Sequence, residues 1–444
     1  RDLEGATNGV YYPLSHDGNV SQWWVTTANF PTNDFYTNEI SDIQSIIDLN
    51  FSPGNYWVVY PWFSSYKGIL SANRVIARGT EMNINADFKD KKVAEAKCLR
   101  GYYYLHLIRN FGGVPLLIDE QTAASDPYPP RSPLQDVLEQ MAKDFTEAAD
   151  VLPAQWDDPN IGRVTKGTAL TLLGLTNLYQ EDWSAAIGNF EKLEALGVYQ
   201  LLPNYMDLFK YGSENTKESI FEAQINDSPN GGTWLQNMLG PRDAGNDGAN
   251  SATWGVWFPT QKLYDALEPG DDRRKQFITP GETYTLPAND FKYTMQGDGK
   301  SAKTNVALIK YWIGVPPSHN NSPQNIILLK YSEAILYYAE ALAHAGRFAD
   351  AYTQINRIRN RAKLPDKAAV SDLETCISDI NKERRIENCF EQNSGWYDLT
   401  RTKQAKKFLK DEYNKDLNDY QYLFPLPQTE LDLNKNLEQN PGYN

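Results

Sequence analysis

The chain of 444 residues is poor in the side chains that most enzymes and metal sites depend on, with four histidines and three cysteines. Cys98, Cys376 and Cys389 form no Cys-x-x-Cys pair, and the scattered histidines add no ligand spacing, so no metal is expected. Buried free thiols are the expectation, with a Cys376–Cys389 bridge left open. Cofactor fingerprints are missing as well. Gly299-Lys300-Ser301 ends like a phosphate loop, but Thr294 stands where its upstream glycine belongs. Asp243, Asp247 and Gly248 echo a calcium loop, yet Gly245 and Trp254 occupy two ligand positions. There is no Gly-x-Ser-x-Gly, His-Glu-x-x-His or Gly-x-Gly-x-x-Gly motif, and no cofactor is expected. Positive charge is the minority sign: 43 Lys and Arg against 57 Asp and Glu leave a net charge of −14. That balance repels phosphate backbones and anionic lipid, which argues against nucleic-acid partners. The longest apolar stretch, Asn325 to Ala345, is broken by Lys330, Glu333 and Glu340, and predicts an amphipathic core helix instead of a membrane span. The first residue is Arg, from which we expect a longer precursor and a removed targeting segment.

Aromatic residues, in contrast, make up 12% of the chain. Many fall on helical patterns, from Trp57 through Trp62 to Leu70, then from Val93 through Tyr102-Tyr103-Tyr104 to a stop at Gly112-Gly113 and Pro115. A further helix is expected over Leu134 to Leu152. Thr168–Leu193 aligns with Glu333–Ile358, placing Ala169 on Ala334, Trp183 on Phe348 and Ala186 on Ala351. Each copy reads as two helices joined by a short turn, with a small residue where the backbones meet, which is tetratricopeptide-type logic. Two copies cannot bury their own apolar faces, so the rest of the chain must cover them. The expected fold is mostly α, one unit over 1–444. Helical repeats at 57–200 and 325–401 would scaffold loop-rich regions at 14–56 and 212–324.

Those loops interleave aromatic rings with Asn and Asp, the combination that stacks on pyranose faces and hydrogen-bonds hydroxyls in plane. The candidate ligand-binding residues are Trp23, Asn33, Asp34, Tyr36, Tyr56, Trp254, Trp257, Tyr293 and Trp312. Trp57, Trp62 and Trp183 belong to helices and read as structural, as do His106 and His344. The enzymatic alternative is a helical glycoside hydrolase, which needs only two carboxylates flanking the sugar bond. Asp157-Asp158 and Asp271-Asp272, beside Pro or Gly, read instead as turn and helix-cap acids.

Several ordered motifs resemble the SusD (RagB/SusD) family of Bacteroidetes surface lipoproteins. They include Trp57-x-x-Tyr60 to Ala72-Asn73-Arg74-Val75-Ile76, and Ala94-Glu95-Ala96 to Phe111-Gly112-Gly113-Val114-Pro115. Ile355-Asn356-x-Ile358-Arg359-x-Arg361-Ala362, Tyr422-Leu423-Phe424-Pro425 and Asn440-Pro441-Gly442-Tyr443 continue the match to the end of the chain. One block departs from the family pattern by lacking Arg before Trp396, which bears on a local ion pair. The resemblance implies a SusD-like fold with four tetratricopeptide-type helix pairs. It implies a non-catalytic binder of oligosaccharide or polysaccharide, lipid-anchored ahead of Arg1 on the outside of the outer membrane. The implied partner is a SusC-like TonB-dependent transporter. Peptide binders also occur in the family, and no site residue carries over by motif.

Overall fold

The computed structural model describes the chain except for residues 1, 16–22, 38, 227–231, 242–243, 245–252, 296–305, 315–321, 394 and 444. Asp243, Asp247 and Gly299-Lys300-Ser301 therefore lie outside the described residues. In chain order the helices are α1 (Asp2–Ser15), α2 (Trp24–Asn29), α3 (Ser41–Ile47), α4 (Tyr56–Glu81), α5 (Ala86–Phe111), α6 (Leu134–Val151), α7 (Lys166–Tyr179) and α8 (Trp183–Ala195). They continue with α9 (Leu235–Leu239), α10 (Gln261–Asp265), α11 (Tyr331–His344), α12 (Phe348–Arg361), α13 (Leu373–Glu387), α14 (Trp396–Arg401), α15 (Ala405–Tyr413) and α16 (Gln428–Leu433). The mostly-α expectation holds.

Helix starts follow capping chemistry. The Asn55 side chain accepts from the Trp57 amide at 2.9 Å to open α4, and Asn85 accepts from Phe88 N at 2.9 Å to open α5. Thr165 and Thr168 form a capping box on α7, and Asp182 caps α8. α5 ends where the sequence says it should, on Gly112 at φ +74°, a conformation only glycine adopts freely. From Lys92 to Phe111 every residue of α5 except Lys97 is buried, so this helix runs through the middle of the scaffold with α4 and α6 against it. Close approach is set by glycine: a Cβ on Gly68 of α4 would sit 2.2 Å from the Tyr103 ring of α5.

The internal repeat is real in three dimensions. Trp183 and Phe348, aligned in the sequence, are each the first residue of a second helix, α8 and α12. The copies also stack on each other. Phe190 of α8 faces Tyr338 of α11 at 6.0 Å, and the Trp183 and His344 rings are parallel at 3.8 Å. Their remaining apolar faces are covered by α6 and α13. His106 lies parallel to Trp24 at 3.7 Å, fully buried and held below its ordinary pKa by burial, so both histidines are packing residues.

One expectation is corrected. Asn325–Ala345 is not a single helix, because Ile326–Lys330 is a strand and the helix begins at Tyr331. Ile326, Ile327, Leu328 and Leu329 are all buried, a continuous apolar run whose periodicity cannot separate strand from helix. Their strand pairs antiparallel with Ser219–Ala223 (β2) instead. No described helix is long and apolar enough to cross a membrane.

Among the described residues the loop-rich regions contain only short pieces. Phe35–Thr37 (β1) pairs antiparallel with Trp257–Pro259 (β3), Phe277–Ile278 with Ala307–Leu308, and Thr283–Thr285 with Lys292–Thr294. A small satellite core of Ile278, Leu286, Tyr293, Met295, Ile309 and Trp312 supports this part of the chain. All three cysteines are buried and free, which settles the open bridge between Cys376 and Cys389. Burial pushes the Cys376 thiol up to about 11 and Cys389 to about 12. Around the block that lacks its arginine, carboxylates still find cations: Glu387 pairs with Arg361, and Asp398 with Arg401 at 2.8 Å.

Candidate functional site

Among the described residues Tyr12, Phe88, Tyr128 and Tyr420 are exposed, and so are two groups of rings that are each built on a rigid element. The first is Trp234 with Trp254, 45% and 51% exposed, whose centroids lie 5.9 Å apart at 64°. Trp234 precedes the first turn of α9. The chain carrying Trp254 is strapped to the same helix: Trp254 N donates to Asn237 O at 2.6 Å and Val256 N to Met238 O at 2.9 Å. Gly255 sits at φ +55°, which lets the strand turn immediately after the exposed indole. α9 is fixed from below, where the Ile313 amide donates to the Gln236 side chain at 3.3 Å. A Cβ on Gly240 would meet Thr253 at 2.7 Å and Trp312 at 3.2 Å, so the turn after α9 is pressed onto both.

The second group lies along α4. Tyr56, Tyr60 and Phe63 follow one another on one face of the helix, with Tyr56 and Phe63 exposed and Tyr60 half-buried. Trp23 underlies them, 4.4 Å from Tyr56 and 4.7 Å from Tyr60. Beneath the surface the rings continue from Trp23 to Trp57 at 4.8 Å and from Trp57 to Trp257 at 5.9 Å. Trp257 follows Trp254 by three residues, so buried indoles tie the two exposed groups into one packed unit.

Of the residues singled out in the sequence, Tyr56 and Trp254 are displayed. The other seven are buried, and this corrects the expectation that they stand on open loops. Trp257 is fully buried between Phe30, at 5.5 Å, and Phe390, at 5.7 Å. Tyr36 packs on Phe258 at 5.2 Å through the β1–β3 pairing, where Tyr36 stands opposite Phe258. Tyr293 and Trp312 belong to the satellite core, 5.3 Å apart. Trp23 is the floor of the α4 group. Asn33, at φ +64°, donates to Pro31 O and Ile47 O and fixes a turn. Asp34 takes a two-pronged bond from Arg385, at 2.6 and 3.0 Å, and another bond from the Tyr413 hydroxyl. Large rings in a chain this aromatic plug the core first, because each removes more apolar area from water than any other side chain. Trp234, a loop aromatic, is not among the residues that the sequence singles out. Tyr60 and Phe63 belong to a helical aromatic stripe, which in the sequence reads as core.

Asp271 accepts from Arg273 N at 2.9 Å as an N-cap and pairs with the Arg273 guanidinium at 2.8 Å, the role expected of it. Among the described residues no group of His, Cys, Asp and Glu is arranged to hold a metal.

Residues 217–443 match a family model described as the SusD family, and residues 6–176 match one described as "Starch-binding associating with outer membrane". A SusD-like protein of Bacteroides ovatus is 28% identical over 368 residues, which are 76% of this chain and 64% of that protein. This chain thus spans less than two thirds of that relative's length. SusD-like protein P2 of Formosa agariphila is 29% identical over 100% of this chain and 92% of its own. Among solved structures, a SusD superfamily protein of Parabacteroides distasonis superimposes with a TM-score of 0.85 at 22% identity, covering 100% of this chain and 99% of its own. Surface glycan-binding protein A of Bacteroides thetaiotaomicron, solved in complex with laminarihexaose, gives 0.81 at 23% identity over 99% of each chain.

Proposed function

The chain belongs to the SusD family, and from that premise we propose that it is a non-catalytic glycan-binding protein of the outer-membrane surface. It captures oligosaccharide or polysaccharide and hands it to a SusC-like TonB-dependent transporter, and a lipid anchor ahead of Arg1 tethers it. The observation that carries this reading is the Trp234–Trp254 pair. Two half-exposed indoles, held edge to face by backbone bonds to α9, offer flat apolar surfaces to the C–H faces of a sugar chain. The α4 group of Tyr56, Tyr60 and Phe63 extends the apolar surface available to a longer ligand. Such a face grips reversibly. Each ring contributes ~0.5–1.5 kcal/mol beyond area burial, so a few rings with hydrogen bonds reach about micromolar to millimolar affinity.

Affinity electrophoresis in gels containing laminarin, the polysaccharide of one structural neighbour, is the first test, with a panel of other glycans beside it. Trp254→Ala and Trp234→Ala are each expected to weaken retention ~2- to 12-fold, the ring contribution expressed as a ratio, without moving the melting temperature. Unchanged retention in both variants would remove this pair from the site. Reducing ends accumulating from a bound oligosaccharide would replace the binder with the hydrolase reading.

A further inference from the structure

A cavity of about 300 Å³, lined by none of the exposed rings, lies between the C-terminal half of α13, the α14–α15 turn and the segment 29–35 that leads into β1. Its size is at the lower end of small-molecule sites, room for one ring. Four apolar side chains, Phe35, Phe390, Leu399 and Phe408, make one part of the wall. Phe35 and Phe390 meet edge to face at 4.5 Å, which fixes their planes.

The charges on the wall are already matched. Arg384 reaches Glu340 at 2.7 Å, and Arg385 holds Asp34 and Glu412, the latter at 3.0 Å. Asp398 holds Arg401, and Lys407 holds Asp411 at 2.7 Å. An ionic ligand would have to break one of these pairs, so the wall favours an uncharged one. Arg384 Nε and Asp398 Oδ2 make no hydrogen bond but face each other as opposite charges at 3.7 Å, so the neutral group that the wall leaves unmatched is Asn388. It is 3% exposed, it lines the cavity, and among the described residues neither its Nδ2 nor its Oδ1 has a hydrogen-bond partner. A buried carboxamide with donor and acceptor both idle costs on the order of 1–3 kcal/mol per group, so it calls for a partner that supplies both. Two neighbouring hydroxyls do so, since each hydroxyl both donates and accepts. Ser378 and Asn381, two to three turns earlier on α13, add further polar groups, and the exposed side chains of Lys382 and Lys407 mark the mouth.

We propose that this cavity is a second ligand site, distinct from the ring pair, that holds one uncharged sugar ring, with the Asn388 carboxamide bridging two adjacent hydroxyls and the phenyl rings against its C–H face. The site stands on its own observations and does not depend on Trp254 binding glycan. Saturation-transfer NMR of the whole chain with glucose, galactose, mannose, xylose and N-acetylglucosamine tests it, with glucuronate as the charged control and glycylglycinamide as a neutral amide. At least one neutral sugar is expected to give transfer and the two controls none. Asn388→Ala is expected to lower that signal at least fivefold. Ser378→Phe, which fills the cavity from the half-buried face of α13, does the same should Asn388→Ala fail to fold. Trp254→Ala keeps the signal. No transfer from any neutral sugar, binding of either control in their place, or a signal lost in Trp254→Ala and kept in Ser378→Phe would overturn the assignment.

Discussion

Glu333 shows how far a single buried side chain departs from its solution behaviour. It sits at the start of α11 with its carboxylate accepting from the Tyr337 hydroxyl at 2.8 Å. Burial, reinforced by Asp398 and Glu391 against the pull of Tyr337 and Arg109, pushes it up to about 7. In the unfolded chain a glutamate titrates near ~4.3. Between those values the folded protein holds a proton that the unfolded chain has lost, so this group's contribution to stability falls as pH rises through the window. His106, held neutral by burial, has the opposite slope below its ordinary pKa, because there the unfolded chain takes up the proton. Comparison with Glu333→Gln isolates the glutamate. The melting temperature of the variant minus that of the wild type is expected to grow more positive from pH 5 to pH 8. A difference that stays flat across that range would remove Glu333 as the proton site. Glu340, two turns on, behaves in the reverse way: Arg401 and Arg384 overcome its burial and hold it at about 2, so its contribution is lost only in strong acid.

At the scale of elements, the scaffold is set by how closely helices approach. Gly174 of α7 faces Phe190 of α8, and a Cβ there would lie 2.6 Å from the ring. Its counterpart in the second repeat is Ala339, also fully buried, so the small residue recurs where helix pairs meet. Gly174→Ala is expected to destabilise by about 1–3 kcal/mol, since the ring must leave its place to admit one methyl. Chemical denaturation measures this, and a cost within ~0.5 kcal/mol would mean that α7 and α8 separate without strain. This geometry explains why the aromatic pattern was legible as scaffold from Trp57 to Phe111 yet misleading in the loops. On a long helix the neighbours three and four residues away are fixed by the helix itself. For Trp257 or Trp312 they come from distant segments, β1 and α9, that no local pattern specifies.

Across the whole molecule, one carboxylate ties loop region to repeats. Glu391 accepts from Lys310 at 2.8 Å and from Lys330 at 2.6 Å, both lysines fully buried. Lys310 follows the Ala307–Leu308 strand, whereas Lys330 ends the strand leading into α11. Glu391→Ala leaves two buried ammonium groups without that partner, and the expected loss is about 3–5 kcal/mol. The same variant is expected to accelerate proteolytic nicking within 306–313 before the helical repeats are cut. Simultaneous loss of both regions would show that they unfold as one unit.

The sequence by itself determined the helical scaffold, the repeat, the turn at Gly112, the structural character of His106 and His344, and membership of the SusD family. Helix periodicity, capping residues and ordered motifs are local signals that survive without coordinates. Exposure is not local. That Trp254 and Tyr56 face solvent while Trp23, Tyr36, Trp257, Tyr293 and Trp312 fill the interior was decided by which distant segment closes over each ring. Only the folded chain fixes that, because an indole in a loop gains from burial wherever a partner surface arrives to cover it.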